Sequence, residues 1–272
     1  MNWKRYGAAL AAAALSLSAL AGCSQKAPRA SDAGSDLLAK IQAKGEIVVA
    51  TEGTWSPWTY HDGSGALVGY DIEVAQAVAE KLGVQAVFVE GDFNGLLEGL
   101  EVGRYDMIAN GVDIIPSRQE KFDFSLPYAF NRTAVIVRGD SDGIRTMEDL
   151  KGKSTANTIT STYADTARKY GAEVTGVDDL NQTFELLLTG RIDATLNAEV
   201  TYYDYMKAHP DAGLKIACLD PAATEAAIPM RKGEQAASLR DAVNAALEEL
   251  SRDGTLTQLS VKYFGTDISQ AQ

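Results

Sequence analysis

Apolar positions along this chain switch between a spacing of two and a spacing of three to four, so strands and helices alternate. Residues 47–50 read as a strand, 71–82 as an amphipathic helix, 84–89 as a strand, 94–102 as a helix and 106–109 as a strand. After Tyr128 an apolar run at 133–137 opens a second series: helix 146–150, strand 154–157, helix 162–170, strand 173–177, helix 182–189 and strand 193–196. Helices at 200–207 and 235–251 complete the pattern. Alternation of this kind specifies an α/β fold with mostly parallel strands, and the restart after Tyr128 makes two lobes of it.

An internal echo supports two lobes. Residues 92–110 align without gaps onto 179–197 at an offset of 87, with eight identities in 19 positions. Part of this match is the shared grammar of helix caps. Both copies nonetheless read as cap, helix, Gly-Arg stop and buried strand ending in Asn. Ligands of open α/β sheets bind beyond the carboxyl ends of strands, which makes Asn110 and Asn197 candidates to face each other across a cleft.

The strand ending near Ala109 runs into a polar turn, Asn110-Gly111-Val112-Asp113, then a brief helical turn that begins at Pro116 and carries Arg118. Such a segment suits capture of a small carboxylate. A guanidinium grips a carboxylate through two parallel hydrogen bonds while the turn offers backbone groups to the rest of the ligand.

Composition narrows the function. Residues 1–22 hold Lys4 and Arg5 ahead of an apolar stretch too short to span a bilayer, and Leu20-Ala21-Gly22-Cys23 follows. This resembles a bacterial lipoprotein signal, in which Cys23 becomes the acylated N-terminus. Residues 23–36 then form a flexible tether. Removing 1–22 takes away two basic residues and no acidic one, lowering the formal charge from −12 to −14, which argues against nucleic acid. Cys218 is left without an intramolecular partner, and no Cys/His spacing suggests a metal site or cofactor. His61 and His209 sit in loop-like sequence.

Seven short motifs, in order, resemble the extracellular solute-binding proteins of polar amino-acid ABC importers, family 3: Gly65-Ala66-Leu67-Val68-Gly69-Tyr70-Asp71, Gly103-Arg104-Tyr105-Asp106 and Pro116-Ser117-Arg118, Asp123-Phe124-Ser125-Leu126-Pro127-Tyr128, Asp149-Leu150-Lys151-Gly152-Lys153, Gly190-Arg191-Ile192-Asp193-Ala194 and Lys262-Tyr263-Phe264-Gly265. The resemblance implies a two-lobed periplasmic-binding-protein-like fold with the ligand in the cleft and a hinge of two crossing strands, near 133–137 and 226–230. Lobe one takes 37–131 and 229–266, lobe two 132–228, and 267–272 is a tail. The implied partners are an amino acid and a membrane permease, with a monomer held to the membrane only through Cys23.

By the same resemblance Arg118 meets the ligand α-carboxylate from lobe one, and Thr158, Ser161 and Thr162 meet it from a helix start in lobe two. Trp55 covers the ligand, Trp58 lies near the pocket floor, and Glu52 occupies a position that reads the side chain. One departure stands out: the family's ammonium-binding aspartate is Ala198 here. A buried ammonium needs an anion, and Asp113 or Glu199 is the replacement, Asp113 being favoured because it lies on the same turn as Gly111 and five residues before Arg118, so that one segment presents both charges. The run 193–205 looks most like cystine or cysteine binders, and Asn110, Asn197 and Tyr202 offer neutral polar contacts. The alternative is a dehydratase on the same fold, acting on an arogenate- or prephenate-like substrate.

Overall fold

The computed structural model describes residues 36–271. The expected leader, Cys23 and the rest of the tether up to residue 35 lie outside the described residues. Asp36 is already part of the fold: its carboxylate accepts from Ala39 N at 2.8 Å and caps helix Leu37–Lys44.

Two sheets carry the structure. The first orders its strands Gln85–Glu90, Glu46–Thr51, Met107–Ile108, Pro229–Arg231, Phe122–Phe124; its first three strands are parallel and its last two antiparallel. The second orders Glu173–Gly176, Ser154–Asn157, Ala194–Ala198, Ala129–Arg138, Leu214–Ala227 and Val112–Asp113, again with a parallel part followed by an antiparallel one. Helices cover both faces of the first sheet. Tyr70–Lys81 and Glu234–Arg252 bury Val74, Val78, Leu239 and Val243 against Ile47 and Val49, while Phe93–Glu101 buries Leu96 and Leu100 against Ala50 and Ile108. Truncating a fully buried leucine such as Leu96 costs about 2–5 kcal/mol.

Two of the chain's crossings between the sheets, at 125–128 and at 226–228, bond to each other. Ser125 N donates to Ile228 O at 3.0 Å, Tyr128 N to Ala226 O at 3.0 Å, and Ile228 N to Ser125 Oγ at 2.9 Å. The second crossing falls within the expected 226–230. The first is displaced from 133–137, which instead forms the middle of the second sheet, between Ala194–Ala198 and Leu214–Ala227. That run is apolar throughout because it is buried on both faces, which a crossing segment is not.

Two further boundaries differ. Val112–Asp113, expected in lobe one, adds to the edge of the second sheet through Ala226 and Ala227. Residues 267–269, expected in a tail, are packed: Ile268 accepts from Phe130 N at 2.7 Å and donates to Ser260 Oγ at 2.8 Å. Helix 146–150 proves to be a single 3-10 turn, Met147–Leu150, closed by a capping box between Thr146 and Asp149.

The Gly-Tyr-Asp motif ties lobe one to the crossing. Asp71 is fully buried in the first turn of Tyr70–Lys81 and accepts a hydrogen bond from the Tyr128 hydroxyl, while the Tyr70 hydroxyl donates to Tyr128 O at 2.8 Å. Burial pushes the Asp71 carboxyl up to about 7.

Candidate functional site

Beyond the carboxyl ends of the parallel strands lies a polar cleft holding about 590 Å³ of empty space, mouth included. Glu52 and Asn110 enter it from the ends of two strands of the first sheet, Asn157 and Asn197 from the second.

Arg118 is the cation of the cleft. Pro116 fixes the first position of the short helix Pro116–Gln119, which turns the arginine inward, where it is only 7% exposed. Its Nη1 donates to Asp113 O at 3.1 Å and its Nη2 to Thr160 O at 3.2 Å, so one guanidinium joins the two sides. Its carbon lies 5.3 Å from the Phe93 ring centroid. Burial lowers its pKa and the Asp113 charge opposes that; a guanidinium stays charged regardless.

Asp113, also 7% exposed, accepts from the Thr162 hydroxyl across the cleft. Burial raises its pKa, against the pull of Thr162 and Arg118. Thr162 opens helix Thr162–Lys169, whose cap is Ser161, accepting from Ala164 N at 3.2 Å. The free N–H groups of that first turn point an anion-favouring end at the site.

At another wall, Glu52 and Asn110 bond reciprocally: Asn110 Nδ2 donates to Glu52 Oε2 at 2.6 Å, and Glu52 N donates to Asn110 Oδ1 at 2.8 Å. Burial pushes Glu52 up to about 7, against the Asn110 hydrogen bond, with smaller contributions from the charges of Asp92 and Asp179. Gly111 takes φ 51°, and a Cβ there would come within 2.9 Å of Trp55, so a side chain would displace the indole. Trp55 stacks on Trp58 at 5.2 Å and donates from Nε1 to Asn197 Oδ1 at 3.2 Å. Ser56 Oγ donates to Asp204 at 2.7 Å and Thr160 bonds to Asn94, so the two sides meet in several places.

The structure brings ten sequence candidates to this cleft: Glu52, Trp55, Asn110, Gly111, Asp113 and Arg118 from one side, Thr158, Ser161, Thr162 and Asn197 from the other. Asn110 and Asn197 do not pair with each other; Asn110 bonds to Glu52 and Asn197 to Trp55. Three candidates lie elsewhere. Trp58 is 2% exposed in the core behind Trp55, packed against Tyr70 and Phe264. Glu199 turns away to Arg132, 2.8 Å from Nη2, because it is the first residue of helix Glu199–Ala208 and its carboxylate emerges on the far side. Tyr202 packs into lobe two and donates to Leu214 O at 3.1 Å. Sequence reasoning missed Thr54, Phe93, Asn157, Tyr163, Asp179, Leu180 and Thr183 as lining residues. The internal echo held the signal for two of them, since an offset of 87 carries Phe93 onto Leu180. Among the described residues no group of His, Cys, Asp and Glu is arranged to hold a metal ion, and no helix is long and apolar enough to cross a membrane.

Two α/β lobes closing on a polar cleft define a solute-binding protein. Residues 47–266 match the model of bacterial extracellular solute-binding proteins, family 3, and the chain belongs to that family. It is 37% identical over 262 residues to the L-cystine-binding protein TcyA of Bacillus subtilis, covering 94% of this chain and 96% of that one. Among solved structures it is similar to an ancestral arginine-binding protein bound to arginine, at 36% identity and a TM-score of 0.76, covering 81% of this chain and 99% of the other. The L-cystine solute receptor of Neisseria gonorrhoeae, in its unliganded open conformation, is 41% identical but superposes with a TM-score of only 0.59, covering 85% and 98%.

Proposed function

We propose that the protein captures a polar α-amino acid outside the cytoplasm and delivers it to an ABC permease, held at the membrane as a monomer through a lipid on Cys23. Arg118 takes the α-carboxylate together with the first turn of helix Thr162–Lys169. Asp113 takes the α-ammonium in place of the aspartate that Ala198 lacks. The observation that carries this reading is the placement of a buried cation and a buried anion five residues apart, on the helix Pro116–Gln119 and on the strand Val112–Asp113 before it, both facing a helix start. Kinship with the B. subtilis relative makes cystine one ligand to test. The dehydratase reading would draw its acid and base from cleft carboxylates such as Glu52 and Asp113; membership of a family of solute-binding proteins favours capture over it.

A thermal-shift screen of the protein against the standard amino acids and cystine tests it. At a hundredfold excess over Kd, a true ligand raises the melting temperature by about 5 °C or more. No shift with any amino acid defeats the proposal.

A further inference from the structure

The Gly-Tyr-Asp motif lines no part of the cleft, yet it joins the segments that shape it. Asp71 is fully buried at the start of helix Tyr70–Lys81. Its N–H donates to Trp58 O at 3.0 Å, beside Tyr70 N to Pro57 O at 3.1 Å, which fixes the loop that carries Trp55 into the cleft. Gly69 permits that approach: at φ 134°, a Cβ there would lie 2.2 Å from Trp58 O. The Asp71 carboxylate accepts from the Tyr128 hydroxyl, and Tyr128 N donates at 3.0 Å to the carbonyl of Ala226, the residue paired with Asp113.

The carboxylate is incompletely satisfied. Among the described residues Oδ2 is enclosed and makes no full hydrogen bond, although the Gly111 N–H is near enough to pull the carboxyl's pKa down. A buried anion short of one donor gains from any change that closes a donor onto it. Gly111 directly precedes the strand Val112–Asp113, so the nearest such donor belongs to the turn that grips the ligand.

We propose that Asp71 is a positioning residue for ligand capture: a buried anion that touches no ligand but ties the Trp55 loop, the turn at Gly111 and the crossing at Tyr128 together, holding Asp113 in place for the amino acid. This inference rests on the proposed function. An amino acid held by Asp113 orders the turn and brings the Gly111 N–H onto Oδ2, which favours the ionised carboxyl. Binding then draws a proton off Asp71, and affinity rises with pH through the region near 7 where burial places the free carboxyl. The titratable groups facing it are two phenols, Tyr70 on its own helix and Tyr128 on the crossing, both held well above their usual range by burial and by the Asp71 charge; Asp267 acts on Tyr70 from the C-terminal segment. In the cleft, burial also raises Glu52 and Asp113.

Calorimetry tests the inference, with whichever of the standard amino acids and cystine gives the largest thermal shift. Asp71→Asn is expected to weaken binding about tenfold, whereas Val78→Ala, a core truncation on the same helix, changes it less than about twofold. Added to Asp113→Asn, Asp71→Asn is expected to cost less than about threefold more, because the group it positions is already gone. Tyr128→Phe keeps the ring and deletes the donor, so the Asp71 carboxyl climbs further and the pH at which affinity rises, measured in a Glu52→Gln background, moves up by about one unit. Asp71→Asn binding within twofold of the wild type, or adding in full to Asp113→Asn, overturns the inference and leaves amino-acid capture standing. Should Asp71→Asn not fold, an unmoved pH profile in Tyr128→Phe overturns it. If no amino acid binds the wild type, both fall.

Discussion

Residues 92–110 and 179–197 are the same construction in two lobes. Asp92 and Asp179 each cap a nine-residue helix, accepting from Gly95 N at 2.9 Å and Gln182 N at 3.0 Å. Gly103 and Gly190 end those helices at φ 77° and 71°. Asp106 and Asp193 then accept from Val48 N and Ser154 N at 2.9 and 2.8 Å, binding the following strand to its neighbour. The copies part where the strands end. After Asn110 the chain turns at Gly111 and returns toward the cleft with Asp113 and Arg118; after Asn197 comes a buried Ala198 and a helix whose first carboxylate leaves for Arg132. The difference teaches that the frame is duplicated and the buried charge pair is not. Arg118 and Asp113 come from the first copy's continuation, while the second side supplies hydroxyls, amides, a helix end and the N-cap carboxylate of Asp179. A ligand anchored on Arg118 and Asp113 would then draw helix Thr162–Lys169 and its neighbours over it through contacts made on closure.

The sharpest way to break that asymmetry is Arg118→Ala. It removes the cation, leaves Asp113 buried beside no positive charge, and deletes the bond to Thr160 O. Loss of one partner from a buried charge pair costs about 2–5 kcal/mol, or roughly 30- to several-thousandfold in Kd. Calorimetry showing less than a tenfold loss would place the carboxylate elsewhere.

Next in size is Asp113→Asn compared with Glu199→Gln. Asparagine keeps an acceptor for Thr162 but not the charge, and affinity is expected to fall tenfold or more. Glu199 faces Arg132, outside the cleft, so Glu199→Gln is expected to change Kd by less than twofold. Asp113→Asn binding within twofold of the wild type would sink Asp113 as the ammonium partner, and a large effect of Glu199→Gln would reverse the assignment.

Much of this frame was legible in the sequence because local chemistry decides it. The helix cores at 71–81 and 94–101 follow from apolar spacing, and the Gly-Arg stops are turns that glycine makes with little strain. Arg118 was legible because Pro116 and the preceding strand end fix where it points. Trp58 and Tyr202 were misplaced because an aromatic near a strand end or helix start carries no mark of which side of its element it packs on; Trp58 went behind Trp55, and Tyr202 into lobe two. The hinge was misplaced for a related reason, since an apolar run such as 133–137 shows burial on both faces but not which sheet buries it. Asp179 read as a plain N-cap, and it is one; that it also lines the cleft is a fact of how the lobes meet.

The smallest effect tests whether the two copies are equivalent frames. Asp193 holds both Ser154 N and Ser154 Oγ, at 2.8 Å each, whereas Asp106 accepts one hydrogen bond, from Val48 N. Asp193→Ala should therefore cost more stability than Asp106→Ala, each in the range of about 1–3 kcal/mol that follows leaving a recessed backbone donor unpaired, as read by urea unfolding. The Ser154 bonds also hold the Asp193 carboxyl below its usual pKa. A carboxyl depressed in the folded state contributes stability above its unfolded pKa of about 3.8 and loses it as pH falls through the folded value, so the gap between wild type and Asp193→Ala should narrow below about pH 4. Neither variant touches Arg118 or Asp113, and a properly equivalent pair leaves ligand affinity within about threefold in both. An Asp106→Ala loss exceeding that of Asp193→Ala would mean that the first copy's aspartate does something its echo does not.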